Sequence, residues 1–195
     1  MNQHLWWYVA RSSGLVGYAL VTASVVWGLL VSTRSLSKRP GRGWLLDLHR
    51  HLGGLSVVFT AVHVAGLVAD SYVHFGPSDV LVPLAARWHP VAVAWGVVAM
   101  YLLVAVEVTA LLQRRLPRRF WRGVHMASFP LYVLATVHLA TAGTDRTVAA
   151  VQWLVLAGAT VVVFLTAFRL LTPRRKPARP RGHQALPRAE VTPTR

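Results

Sequence analysis

The chain has 195 residues, of which 54% are hydrophobic and 14% charged, and its formal net charge is +15. So few charged side chains cannot cover a water-facing globule, so lipid is the expected solvent and a large soluble catalytic domain is excluded. The Lys and Arg residues stand in short blocks beside apolar runs, a topology pattern rather than a nucleic-acid surface, and the absence of cysteine removes disulfides, iron–sulfur ligation and thiol nucleophiles.

Residues 1–11 (MNQHLWWYVAR) carry the cluster Trp6, Trp7 and Tyr8, of the kind that settles at a membrane–water boundary, and are expected to form an interfacial segment. The first span then runs from Ser12 to Thr33; without a basic flank or a small-residue cleavage site, it reads as a retained helix and not a signal peptide. A basic loop from Arg34 to Gly43, with Lys38, Arg39, Pro40 and Arg42, leads to a second span from Trp44 to about Ala69. The connection from Asp70 to Pro90 contains the breakers Gly76, Pro77 and Pro83 and a single Arg, Arg87; the third span follows from Val91 to about Leu112.

Five arginines crowd Gln113 to Arg122, ahead of a fourth span reaching about Ala142. The turn Gly143 to Arg146 introduces the fifth span, Thr147 to Leu171. Residues 172–195 are rich in Pro and Arg, lack hydrophobic periodicity, and are expected to be a solvated, disordered basic tail that meets anionic lipid headgroups or, as a weaker reading, an acidic partner. The fold class is therefore all-α, an integral membrane bundle of five transmembrane helices filling residues 12–171. Basic blocks follow the first, third and fifth spans, so the positive-inside rule sets the N-terminus outside the cell membrane and the C-terminus in the cytoplasm.

The second and fourth spans then run in the same direction and carry histidines in register: His49 and His63 are 14 residues apart, His125 and His138 are 13 apart. A lone histidine near a helix end is usually a snorkelling residue, but at ~1.5 Å per residue these intervals are ~21 Å and ~19.5 Å, which sets two facing pairs at two depths. Imidazole is a strong iron ligand, so each pair could clamp one flat, six-coordinate haem. Fourteen residues fall only about 40° short of four helical turns, whereas 13 fall about 140° short, so an ideal fourth helix would misaim one ring. Pro130 lies between His125 and His138 and offers a kink that would change the facing angle.

The segments LDLHRHLGGLSVVFTAVHV and FWRGVHMASFPLYVLATVHL resemble the ferric reductase-like transmembrane family, which includes ferric reductases and NADPH oxidases. The resemblance covers roughly Ser12 to Leu171. It implies two b-type haems, an inner one on His49 and His125 and an outer one on His63 and His138, with electrons moving outwards to an extracytoplasmic acceptor. The larger relatives commonly have six spans and carry a flavin- and nicotinamide-binding domain. No Gly-rich nucleotide fingerprint occurs here, so FAD or FMN is expected only on a separate flavoprotein, or a membrane quinol serves as donor. The chain is also similar in size to the haem subunit of bacterial methionine sulfoxide repair.

Arg50 and Arg122 lie near the inner ligands and could pair with haem propionates, although topology explains them equally well. Gly53 and Gly54 either let a porphyrin approach or serve helix packing. His51 points to a different face from His49, and His4, His74, His89 and His183 fall outside the spans; His74 and Tyr72 could line an acceptor site, with a solvated loop the better reading. Glu107 lies within the third span, where a carboxyl group suggests proton uptake, an ion pair with Arg114 or Arg115, or a neutral hydrogen-bonded acid. No catalytic residue is assigned, and the protein is read as an oxidoreductase component. The competing classes are a haem-free proton or ion transporter using these His and Glu residues, and a structural membrane anchor.

Overall fold

The computed structural model describes residues 5–33, 42–70 and 75–172. The expectations for His4, Tyr72, His74 and His183, for most of the first basic loop and for the tail beyond Thr172 lie outside the described residues. Among the described residues seven helices follow in order: α1 (Leu5–Thr33), α2 (Arg42–Ala69), α3 (Pro77–Leu81), α4 (Pro90–Leu111), α5 (Arg118–Met126), α6 (Ser128–Ala142) and α7 (Ala149–Leu171). Five of the described segments are long and apolar enough to cross a membrane: α1, α2, α4, α7, and α5 with α6 taken together. No strand occurs among the described residues.

The first helix begins at Leu5, ahead of Ser12. Nothing between the aromatic cluster and Ser12 breaks a helix, and Arg11 returns over the Trp7 ring one turn earlier, 4.6 Å from its centroid, in a cation–π contact that helical i,i+4 spacing favours. At ~1.5 Å per residue such a helix outreaches a ~30 Å hydrocarbon core. Its first turns therefore supply the interfacial aromatics without a separate segment. In the same way α5 begins at Arg118 directly after Pro117, so part of the arginine-rich run is helical.

Glycines set the register between neighbours. Gly66 lies against Ala10, Gly14 against His63, Gly17 against Thr60 and Gly28 against His49, so α1 and α2 run antiparallel along their length. Small residues let the backbones come close, which is how helices associate where lipid removes the hydrophobic drive between them. Gly96 against His138, with Leu103 and Leu131 in one buried cluster, sets α4 antiparallel to α6. Tyr18 joins α1 to α6 through Tyr132 and Thr136, at 3.4 and 3.2 Å, and Val162 brings α7 into the same cluster. The 75–90 connection folds back onto α4, where Phe75, Val80 and Ala86 pack with Val93 and Val97.

Large apolar side chains cover the outside of the bundle: Trp153, Val163 and Phe164 on α7 are 68, 67 and 65% exposed. Such a surface is unfavourable in water and favourable in hydrocarbon. The chain is a multi-pass membrane protein.

The fourth span is broken. Pro130 has no amide hydrogen and its ring crowds the carbonyl four residues earlier, that of Met126. The helix tightens there: the Ala127 amide donates to the Val124 carbonyl at 2.9 Å, three residues back, before α6 resumes at Ser128. A three-residue turn winds the chain by about 120° per residue instead of 100°.

Arg11 closes one end of the bundle on Asp145 of the α6–α7 turn through a short, charge-assisted contact. The aspartate side chain is 7% exposed and the arginine 34%, so the pair lies between the buried and surface cases. Arg11→Met is expected to cost about 1–3 kcal/mol, because it strands a desolvated carboxylate, and Arg11→Met with Asp145→Asn to recover part of that loss. Thermal unfolding in detergent, read as a double-mutant cycle, checks both.

Candidate functional site: two imidazole pairs

The four intramembrane histidines meet across the bundle in two pairs. His49 of α2 faces His125 of α5 with ring centres 5.9 Å apart and planes at 83°. His63 of α2 faces His138 of α6 at 6.4 Å and 77°. The break at Ala127 lies between the two α5–α6 rings and turns them part of the way toward a common face, and each ring meets its own partner despite the 13-residue interval.

Three of the four rings are held from behind. Nδ1 of His63 lies 2.7 Å from the Ala10 carbonyl, Nδ1 of His49 lies 3.1 Å from the Ser24 carbonyl, and Nδ1 of His138 lies 2.8 Å from the Ala92 carbonyl. A carbonyl oxygen only accepts, so each Nδ1 carries the proton and donates it. Nε2 of these three rings is then the atom with a free lone pair. His125 differs: its Nδ1 is buried without a hydrogen-bond partner, and its ring stacks on Trp121 at 5.2 Å and 21°.

A chamber of about 320 Å³ surrounds the His63–His138 pair. Gly14, Gly17, Val97, Leu131 and Ala135 contribute to its apolar wall. Arg11, Asp70 and Asp145, its charged lining residues, all lie toward the N-terminal end of α1.

The remaining sequence candidates are spread out. Arg50 is exposed and pairs with Asp47 at 3.3 Å, and Arg122 is also exposed. His51, on another face of α2, is exposed, with Nδ1 2.7 Å from the Asp47 carbonyl. Gly53 gives room to the Glu107 carboxyl group, which a Cβ there would overlap, whereas Gly54 has nothing near it. Among the described residues Glu107 makes no ion pair with Arg114 or Arg115.

In the sequence alone neither Arg11 nor the glycines beneath the rings stand out as site residues. One signal for the latter was present: Gly14 and Gly28 repeat on α1 the 14-residue interval of His63 and His49 on α2.

An all-helical membrane bundle with opposed histidines at two levels defines a class of membrane protein with paired imidazole sites. The sequence matches the family described as ferric reductase like transmembrane component over residues 13–136, and the chain belongs to that family. The matched range contains His49, His63 and His125 and ends two residues before His138. No curated protein and no solved structure matches the chain.

Proposed function

We propose that the protein carries electrons across a cell membrane through two b-type haems, one held by His49 and His125 and one by His63 and His138. The observation that carries this reading is the spacing of the rings. Two metal–nitrogen bonds of about 2 Å, with half an imidazole ring behind each nitrogen, require ring centres roughly 6 Å apart. The measured separations are 5.9 and 6.4 Å. No group of three or more His, Asp or Glu side chains suited to a metal ion occurs among the described residues. Each pair thus presents two opposed donors and no more, which suits an iron whose four equatorial positions a porphyrin fills.

Bound haem supplies one-electron carriage between ferric and ferrous iron, and the protein supplies ligation, spacing and insulation. The two levels stand ~21 Å apart along α2 by residue count. With the N-terminus outside, as the basic blocks indicate, the His49–His125 level is the inner one. Its donor is a separate flavoprotein or a membrane quinol, and the acceptor lies outside the membrane. Family membership supports the same function.

The test is a dithionite-minus-oxidised spectrum of the purified full chain together with haem-to-protein stoichiometry. Two b-type haems per chain are expected. Protein that takes up no haem under supplementation overturns the reading.

A further inference from the structure

The three ring-to-carbonyl hydrogen bonds obey one rule that the sequence motif of histidines does not contain. In each case the accepting carbonyl lies four residues before a glycine on the neighbouring helix: Ala10 before Gly14, Ser24 before Gly28, Ala92 before Gly96. In an α-helix the carbonyl of residue i already accepts the amide of i+4 and keeps a second lone pair on its outer side. Side chains lean toward the helix N-terminus, so the Cβ of residue i+4 overhangs that lone pair. Glycine uncovers it.

The space is needed by the rings themselves. A Cβ at Gly14 would stand 2.8 Å from Nδ1 of His63, one at Gly96 2.7 Å from Nδ1 of His138, and one at Gly28 3.2 Å from Cε1 of His49. Those approaches are too close or tight, and the neighbour of each is an imidazole wedged between helices. At the fourth ring the rule lapses. Extending the α4–α6 register past Gly96 and His138 by the 13-residue interval reaches Thr109, whose own hydroxyl donates to the Ala105 carbonyl at 2.8 Å. His125 correspondingly has a buried, unpartnered Nδ1 and rests on Trp121.

We infer that Gly14, Gly28 and Gly96 are positioning residues: each opens a helix carbonyl that sets the Nδ1–H tautomer and the direction of one histidine, so that Nε2 faces the opposite ring. This inference rests on the proposed ligand role for its consequence in haem binding, and on the described contacts alone for the steric coupling. Orienting hydrogen bonds of this kind fix the ring plane of a ligand and raise its basicity.

The test compares Gly14→Ala, Gly28→Ala and Gly96→Ala with Gly43→Ala, a helical glycine with open space around it. Gly28→Ala is expected to diminish the haem assigned to His49 and His125, and the other two the haem assigned to His63 and His138, each leaving the second haem in place. Gly43→Ala leaves both. A second measurement separates positioning from ordinary packing. Gly14→Ala is expected to lower the unfolding temperature of the wild-type chain and to leave it unchanged or raise it in a His63→Ala background, where no ring remains to collide with the new methyl group and alanine favours the helix over glycine. Equal loss of Tm in both backgrounds, or three glycine variants that behave as Gly43→Ala does, overturns the inference. Wild-type protein that takes up no haem removes the proposed function but leaves the steric cycle decisive.

Discussion

His63→Ala or His138→Ala is expected to halve the haem content, abolishing one b-type signal while the other persists. His49→Ala and His125→Ala are expected to do the converse. The physical ground is that the pairs share no histidine: among the described imidazole rings His49 faces His125, and His63 faces His138. Loss of either ring would remove one of the two donors proposed for that level and leave the opposite imidazole without its counterpart in an apolar interior, so affinity at that level should collapse. Redox titration of the difference spectrum, with thermal unfolding as a control for global damage, reads the result. Equal loss of both signals from all four variants would contradict two independent sites, and full retention would remove the histidines from the site altogether.

Pro130→Ala is expected to separate stability from function. The substitution returns an amide hydrogen to the Met126 carbonyl and relieves the ring's clash with it, changes worth about 3 kcal/mol in a helix interior. The fourth span should therefore straighten and gain helical stability. A continuous helix sets His125 and His138 about 140° out of phase, while His49 and His63 differ by only about 40°, so one of the two facing pairs must open. Haem stoichiometry is expected to fall from two toward one per chain while the unfolding temperature of the haem-free protein holds or rises. A Pro130→Ala protein with both haems and unchanged spectra would mean that the break at Ala127 does not aim the rings. Backbone irregularity held at a functional position against local preference is the pattern expected where geometry matters more than helix propensity.

Membrane character was legible in the sequence because lipid demands long apolar segments, and their lengths and charges can be counted without knowing any contact. The histidine intervals were legible for the same reason, since helical rise converts residue number directly into depth. The start of α1 was less so. The aromatic cluster near Trp7 satisfies both an interfacial loop and the first turns of a long helix, and the structure shows the helix, with Arg11 over Trp7 one turn earlier.

Residues whose role depends on a second helix were not legible. Gly53 reads equally as space for a ligand or for packing, and the bundle assigns it to the Glu107 carboxyl group. Arg11 and Asp145 are 134 positions apart, and nothing local to either announces the other.

The sequence by itself determined that this chain lives in lipid as five spans, and that two of them carry imidazoles at matching depths. The tertiary structure alone decided how closely the paired rings approach, which carbonyls hold them, and which glycines make that possible. Depth follows from counting along one helix, whereas facing depends on the rotation and approach of two, and a single proline or a missing Cβ changes both.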